Sequence, residues 1–275
     1  MKPVIAFIYD FDGTLSPRNM QEYDFLPQLG IEPQEFWEAA NKRAVENNAD
    51  TILAYMMLML EKCAGTSCVK LTRDKLAGYG RSIEFFTGVE SWFDRVNNYV
   101  ESKGMQAEHY VLSSGIKEMI AGSRIAKYFK EIFACSFIYN DQGVAISPGV
   151  AINYTGKTQF LFRINKGVHN VWDNSLINDY VPKNKRPVPF TNMIYFGDGI
   201  TDVPCMKLIK DQGGHSISVY KPGRGEQEAR RLYDENRVNF IAEADYQKDS
   251  KLHIIVKAII DKVMTDSRLN DLIPK

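Results

Sequence analysis

The sequence has no apolar run long enough to cross a membrane. Its longest run, ILAYMMLML, covers residues 52–60, whereas a membrane-spanning helix needs about 20 apolar residues in a row. The apolar run near the N-terminus is shorter still and lacks a small-residue cleavage site, so we predict no secretory signal peptide. These absences predict a protein without a membrane partner, in which residues 52–60 form a buried helix.

The sequence also lacks an excess of charge of either sign, since 34 Lys and Arg residues balance 34 Asp and Glu residues. Proteins that bind nucleic acid or anionic membranes through their charge usually carry a basic excess. The balance therefore argues against nucleic acid as a partner, while it leaves room for a local basic pocket.

Cysteine is scarce, with four residues in a chain of 275: Cys63, Cys68, Cys135 and Cys205. The first two are close in sequence, but no second pair and no neighbouring histidine completes a zinc site. We expect all four to be buried, reduced thiols, which favours the cytoplasm as the location.

Short apolar runs that end in Gly, Asp or Ser recur along the chain. They are 4–9, 110–112, 132–139, 193–196, 217–220 and, more weakly, 240–242. Helix-like patterns lie between many of them, at 116–128, 158–164, 203–210 and 227–236. Buried strands that alternate with helices are typical of a parallel sheet covered on both faces. The pattern predicts an α/β fold with a Rossmann-like, doubly wound parallel sheet.

One interval breaks this alternation, because residues 18–86 contain no convincing strand. Helical patterns occupy residues 33–47, 50–63 and 72–78. We therefore predict that residues 18–86 form a helical domain inserted after the first strand. Residues 1–17 and 87–275 would form the α/β core.

Two aspartates, Asp10 and Asp12, follow the first predicted strand in the motif DFDGT. Residues i and i+2 of an extended backbone point to the same side, so both carboxylates can face one point beyond the end of the strand. Ligands of open α/β sheets bind at that end. Two close carboxylates repel each other unless a cation lies between them, and Mg²⁺ prefers oxygen ligands. For this motif alone, a structural turn is the alternative.

A second aspartate motif, GDGITD, follows a later apolar run. It contains Asp198 and Asp202. If both strands belong to one parallel sheet, their carboxyl ends lie at the same edge. We therefore expect the carboxylates of both motifs to lie together.

Two further segments carry groups suited to binding an anion. The run HYVLSSG ends in Ser113, Ser114 and Gly115 before a predicted helix, and backbone amides at a helix N-terminus bind anions such as phosphate. Lys157 lies where another helix begins, an unfavourable place for a cation on dipole grounds. A buried acidic cluster nearby would explain this lysine better than solvent exposure does.

In order and context, these four segments resemble the motifs of the haloacid dehalogenase-like (HAD) hydrolase superfamily. The helical insertion is similar to the cap domain of its phosphoserine-phosphatase-like branch. The resemblance implies a Mg²⁺-dependent phosphatase that acts on a small phosphorylated metabolite. A phosphotransferase with the same chemistry is an alternative, and a catalytically idle binding protein on this fold is another. Retention of Asp10, Asp12, Lys157 and Asp198 argues against the idle protein.

The resemblance also implies a role for each residue. Asp10 corresponds to the nucleophile, which forms an aspartyl-phosphate, and Asp12 to the general acid and base. Asp10, Asp198 and the backbone carbonyl of Asp12 would hold Mg²⁺, while Asp202 would orient the metal's waters or Lys157.

The phosphoryl group would be bound by Ser113, by the amides of Ser114 and Gly115, and by Lys157. Ser114 is the alternative to Ser113 as the source of the hydroxyl, and Ser113 is preferred because it directly follows the apolar run.

Substrate choice is expected to lie in the insertion. Phosphoserine phosphatases carry a glutamate shortly after the first motif, and the matching position here is Asn19, which argues against phosphoserine itself. Arg18 is a candidate contact for an anionic substrate group. Glu22 would replace the missing carboxylate if the register slips.

Overall fold

The computed structural model describes residues 2–64 and 70–272, so Cys68 lies outside the described residues. A seven-stranded sheet with the order β4-β3-β2-β1-β5-β6-β7 forms its centre. The strands are β1 (Val4–Tyr9), β2 (Gln106–Ile116), β3 (Phe129–Tyr139), β4 (Ala145–Val150), β5 (Met193–Gly197), β6 (His215–Tyr220) and β7 (Phe240–Glu243). All pairs of neighbours are parallel except β3 and β4, which are antiparallel. The predicted Rossmann-like α/β fold is confirmed.

Strand β1 lies at the centre of the sheet, between β2 and β5. Its residues from Ile5 to Tyr9 are fully buried, as expected of a parallel strand covered on both faces. The chain builds one half of the sheet through β2 and β3 and the other through β5, β6 and β7, so the order reverses between β1 and β5. Ligands of such sheets bind at the carboxyl ends of the strands beside this reversal.

Helices connect and cover the strands. They are α1 (Phe25–Leu29), α2 (Pro33–Asn47), α3 (Thr51–Ala64), α4 (Arg73–Tyr79), α5 (Val89–Ser102), α6 (Lys117–Ala121), α7 (Thr158–Lys166), α8 (Ser175–Asn178), α9 (Val203–Asp211), α10 (Glu226–Asp234) and α11 (Lys251–Asp271). None of the helices in the described part of the chain is both long enough and apolar enough to span a membrane.

Helices α1 to α4 lie within residues 18–86, a part of the segment between β1 and β2 for which we use the name helical insertion. Helix α2 has the bounds predicted from the sequence, because Pro33 is favourable in the first turn and Asn48 ends the helix in a left-handed conformation with φ of 48°. The insertion packs against the core. The amide of Ala145, at the start of β4, donates a hydrogen bond to the carbonyl of Leu71 at 2.8 Å.

The structure differs from the sequence prediction at residues 116–128. Strand β2 continues to Ile116, and only Lys117–Ala121 is α-helical, followed by a 3-10 turn at Ala126–Tyr128. Gly122 packs so closely on Ala77 of α4 that an added Cβ would lie 1.8 Å from its carbonyl oxygen. Helix α6 ends at this close contact between the two backbones.

Candidate active site

The two aspartate motifs lie side by side, because they follow the adjacent strands β1 and β5. The amide of Asp10 donates a hydrogen bond to the carbonyl of Phe196 at 2.9 Å, which continues the strand pairing into the loops. Both motifs therefore reach one edge of the sheet. The expectation that all of their carboxylates lie together is wrong for Asp12, whose carboxylate is not grouped with those of Asp10, Asp198 and Asp202.

The loop after β1 is a tight turn that requires glycine. The amides of Leu15 and Ser16 both donate to the carbonyl of Phe11, and the amide of Gly13 donates to the carbonyl of Ser16 at 2.7 Å. Gly13 has φ of +80°, a region that residues with a Cβ rarely adopt. A Cβ there would also lie 2.0 Å from Oδ2 of Asp198. Only glycine therefore lets the two aspartate loops approach each other.

Three carboxylates, those of Asp10, Asp198 and Asp202, offer oxygen atoms within 4.8 Å of one another. We call them the acidic group. Asp10 and Asp202 are buried, and Asp198 is the most exposed of the three. Burial, followed by the charge of Asp202, raises the pKa of Asp10 to about 7. Desolvation and the charges of the other two raise the pKa of Asp198 well above its usual range.

Lys157 is the cation that lies inside this cluster. Its side chain is fully buried, and Nζ lies 2.7 Å from Oδ1 of Asp202 and 3.1 Å from Oδ2 of Asp10. Burial alone would lower the pKa of Lys157, but the two carboxylates outweigh it and raise that pKa above its usual value. The lysine is therefore held charged, and the position that is odd on dipole grounds is explained by the acidic group.

The acidic group also fits a hard divalent cation. One lysine faces three carboxylates, so negative charge is in excess. Within residues 2–64 and 70–272, Oδ2 of Asp202 is buried without a hydrogen-bond partner. Its Oδ1 accepts from Lys157 and also from the hydroxyl of Tyr195 at 2.6 Å. Crowded carboxylate oxygens with an unsatisfied acceptor are the ligand chemistry that Mg²⁺ prefers.

The carboxylate of Asp12 points away from the acidic group toward the start of the helical insertion. Its Oδ1 accepts a hydrogen bond from the amide of Met20 at 3.0 Å. Burial, followed by the charge of Asp10, raises the pKa of Asp12 well above its usual range. The two aspartates of the first motif thus occupy different environments, two residues apart.

The segment 113–115 lies at the end of β2, beside β1. Ser113 is buried, and its Oγ accepts a hydrogen bond from the amide of Gly115 at 3.0 Å. Helix α6 begins only at Lys117, so these amides belong to the strand end and not to the first turn of a helix. The amide of Gly115 is engaged by Ser113. A Cβ at Gly115 would lie 3.2 Å from Oδ2 of Asp12, so this segment faces the first aspartate motif.

The candidate substrate contacts in the insertion have partners of their own. Arg18 lies over the ring of Tyr23 at 4.1 Å and pairs with Glu84 at 3.8 Å. Asn19 donates from Nδ2 to Oε1 of Glu22 at 2.6 Å. The charge of Glu22 contributes to the raised pKa of Asp12, so this carboxylate faces the first motif from the insertion side.

Two tyrosines of the site were not predicted from the sequence. Tyr195 fixes Asp202, and Tyr55 of α3 donates to the carbonyl of Ser114 at 2.6 Å. Both sit in apolar runs, where a tyrosine is usually interpreted as core. The available signal was that a buried tyrosine hydroxyl needs a hydrogen-bond partner.

Comparison with known proteins agrees with this geometry. Residues 7–207 match the family model described as haloacid dehalogenase-like hydrolase. An uncharacterized protein of Borreliella burgdorferi is 32% identical, with 91% of this chain and 94% of the relative covered. A HAD-family hydrolase from Salmonella enterica serovar Typhi is similar in structure, with a TM-score of 0.60, 15% identity and coverage of 95% of this chain and 73% of that one.

A substrate-bound phosphoserine phosphatase has a TM-score of 0.57 at 16% identity, with 94% of this chain and 99% of that chain covered. Likeness at such low identity concerns the fold, whereas the family match spans all four motif segments from Asp10 to Asp202. This chain belongs to the haloacid dehalogenase-like hydrolases.

Proposed function

We propose that this protein is a Mg²⁺-dependent phosphatase that hydrolyses a small phosphorylated metabolite through an aspartyl-phosphate on Asp10. The observation that carries the proposal is the position of the Asp10 carboxylate. It lies at the carboxyl end of β1, 3.1 Å from Nζ of Lys157 and within 4.8 Å of the other two acidic side chains. Structural likeness to phosphoserine phosphatases supports it as well.

Asp10 is suited to act as the nucleophile because both of its oxygens are oriented. Oδ1 accepts a hydrogen bond from the amide of Phe11 at 2.7 Å, and Oδ2 contacts Lys157. Attack on phosphorus forms the bond from Asp10 to phosphorus and breaks the ester bond. The reaction is then split into two displacements, each easier than direct attack by water.

Asp12 is suited to move the proton in both displacements. The hydrogen bond from the amide of Met20 fixes its carboxyl group, and the Met20 side chain fills the space that Gly115 leaves beside it. In the first displacement Asp12 gives its proton to the departing oxygen. In the second it takes a proton from the water that attacks the aspartyl-phosphate, and inorganic phosphate is released.

Mg²⁺ would be held by the carboxylates of Asp10 and Asp198 together with the backbone carbonyl of Asp12. The bound ion would neutralise the acidic group and stabilise the negative charge of the phosphoryl group. Asp202 would keep Lys157 in place, since it lies closer to the ammonium than Asp10 does.

The phosphoryl oxygens would be bound by the hydroxyl of Ser113, by the amide of Ser114 and by Lys157. The amide of Gly115, which was expected to bind phosphate as well, donates instead to Oγ of Ser113 and would hold that hydroxyl in place. In phosphoryl transfer, positioning and charge stabilisation do most of the catalytic work. These groups come from the end of β2 and from the turn before α7.

Residues 18–86 are proposed to act as the cap over this site, with residues 1–17 and 87–275 as the catalytic core. Arg18 and Asn19 at the start of the cap would contact the part of the substrate that leaves. Burial of the thiols of Cys135 and Cys205 supports a reducing compartment, and we propose the cytoplasm.

The test is phosphate release from p-nitrophenyl phosphate and from a panel of small phosphorylated metabolites, with Mg²⁺ or with EDTA. We expect release that requires the metal. Asp10→Asn should lower kcat by at least about 1000-fold, because the nucleophile is lost. Asp211→Asn makes the same chemical change at an exposed ion pair with Lys207 and should leave kcat unchanged. Asp10→Asn protein with wild-type turnover would contradict the mechanism.

A further inference from the structure

We propose that helix α3 of the helical insertion positions the phosphate-binding segment 113–115, with Tyr55 as the positioning residue. The inference rests on the function proposed above, and it adds a residue outside the family motifs. The juxtaposition that carries it is the Tyr55 hydroxyl, which donates to the carbonyl oxygen of Ser114 at 2.6 Å across the boundary between insertion and core.

The hydrogen bond from Tyr55 acts on a whole peptide plane. The carbonyl of Ser114 and the amide N–H of Gly115 belong to the same peptide unit, which is planar and rigid. Fixing the carbonyl oxygen therefore fixes the direction of the Gly115 N–H. That N–H donates to Oγ of Ser113 at 3.0 Å. Tyr55 thus orients the Ser113 hydroxyl through one rigid peptide.

Tyr55 is itself held firmly. Its side chain is 4% exposed, and its ring packs edge-on against Trp37 of α2 with centroids 5.6 Å apart. The thiol of Cys135 on β3 donates to the same carbonyl oxygen of Ser114 at a longer 3.3 Å. A thiol is a weak donor, so Tyr55 provides the stronger of these two hydrogen bonds.

The first turn of α3 makes a second connection, to the turn that carries Lys157. Oδ1 of Asp50 accepts the amides of Ile52 at 2.8 Å and Leu53 at 3.0 Å, so it caps α3. Oδ2 of Asp50 accepts a hydrogen bond from Nδ2 of Asn153. The carbonyl of Asn153 in turn accepts the amide of Lys157 at 2.9 Å.

These contacts close a ring through the core. The amide of Ile152 donates to Sγ of Cys135 at 3.2 Å, which links the segment before Lys157 to the residue that contacts Ser114. One helix of the insertion is therefore hydrogen-bonded to both proposed phosphate-binding elements, and Cys135 of β3 links those elements to each other. Movement of α3 away from the core would release the two together.

The test compares Tyr55→Phe with Tyr79→Phe. Tyr79 is a buried tyrosine of α4 whose hydroxyl donates to Gln28 at 3.0 Å, inside the insertion, so its loss leaves segment 113–115 untouched. We expect Tyr55→Phe to weaken binding of orthovanadate in the presence of Mg²⁺ about 10-fold and to raise KM for p-nitrophenyl phosphate by a similar factor, with a smaller change in kcat. Tyr79→Phe should stay within about 2-fold of wild type on both measures.

A second variant is needed in case Tyr55→Phe destabilises the whole protein. Asp50→Asn keeps an acceptor oxygen for the α3 amides but places an NH₂ group against the NH₂ of Asn153. If Tyr55→Phe melts well below Tyr79→Phe, Asp50→Asn should still weaken orthovanadate binding.

The possible outcomes separate this inference from the proposed function. Wild-type protein that releases phosphate, with Tyr55→Phe and Tyr79→Phe binding orthovanadate alike, overturns the role of Tyr55 alone. Weaker binding by Tyr55→Phe in a protein that hydrolyses no ester supports the positioning and overturns the phosphatase. Wild-type protein that neither binds orthovanadate nor releases phosphate overturns both.

Discussion

Two groups of polar side chains differ in how they are built: one lies at the carboxyl end of the sheet, and the other lies between the sheet and α5. The acidic group places like charges within 4.8 Å and leaves one carboxylate oxygen unpaired among the described residues. The second group, which we call the histidine group, consists of Tyr9, Trp92, Asn97 and His109. In it, Trp92 donates to Tyr9 at 3.0 Å, and His109 contacts Tyr9 at 3.1 Å and Asn97 at 2.9 Å.

Burial acts on both groups in the same direction, toward the uncharged form. It lowers the pKa of His109 to about 3, so the ring stays neutral, and its neutral partners satisfy it. It raises the pKa of Asp10 to about 7, although Lys157 partly opposes the effect. The histidine group is complete without a ligand, whereas the acidic group needs a cation or a proton. A buried polar group that is left incomplete therefore marks the site, and a complete one marks the scaffold.

Removal of Lys157, the cation inside the acidic group, should have the largest effect on stability. Lys157→Met leaves the acidic group without its internal counter-charge, and loss of one partner of a buried ion pair usually costs about 3–5 kcal/mol of stability. We expect a loss of that size in the free energy of unfolding, measured by urea denaturation in EDTA, and recovery of part of it with Mg²⁺.

The matched control is Lys117→Met, which breaks an ion pair with Glu131 in which both side chains are partly exposed. It should cost less than about 1 kcal/mol. Equal losses for the two lysines would show that the acidic group does not depend on Lys157.

The stability that the histidine group contributes should depend on pH. In the unfolded chain His109 takes up a proton below about pH 6.5, whereas in the folded protein its pKa is about 3. Stability from this residue is therefore complete above pH 6.5 and is lost as the pH falls toward 3, at about 1.4 kcal/mol per pH unit. Between pH 7 and 5, wild-type protein should lose about 2 kcal/mol more than His109→Gln. Parallel pH profiles of the two proteins would refute this account.

A change in the packing around the acidic group should have the smallest effect on stability. Gly13→Ala strains a residue with φ of +80° and places a Cβ against Asp198. Gly223→Ala imposes similar backbone strain at φ of +74°, with nothing within 4 Å of the new Cβ. The backbone strain should cost each variant about 1 kcal/mol of stability, and Gly13→Ala should lose more than Gly223→Ala because its Cβ must displace the Asp198 carboxylate. Only Gly13→Ala should also weaken Mg²⁺ binding, measured by calorimetry, and equal metal affinities would show that Asp198 does not need this close approach.

The sequence was most informative where a motif follows a buried strand. Strand β1 has the predicted bounds, and Asp10, Asp198 and Asp202 converge because their strands end at one edge. Strand β4 was not predicted, since Pro148 and Gly149 argue against a strand. Pro148 is tolerated because β4 is an edge strand, paired with β3 alone.

Contacts across long sequence separations could not be predicted. Tyr55 donates to a backbone carbonyl, a group that every residue carries, so no pattern in the sequence connects Tyr55 to Ser114.

Helix α5 was not predicted either, although its sequence carries a signal. Its buried residues Val89, Trp92, Phe93, Val96 and Val100 recur at helical spacing, so the signal was present, but Gly88 before it provides no side-chain cap.

The pairing of β1 with β5 has a consequence for the making of the protein. The ribosome produces Asp10 and Asp12 well before Asp198, because residues 13–197 must be synthesised in between. Pairing between such distant segments forms late, because a long loop must close first. A chain that ends before Asp198 therefore cannot assemble the acidic group, which forms only once β1 has paired with β5.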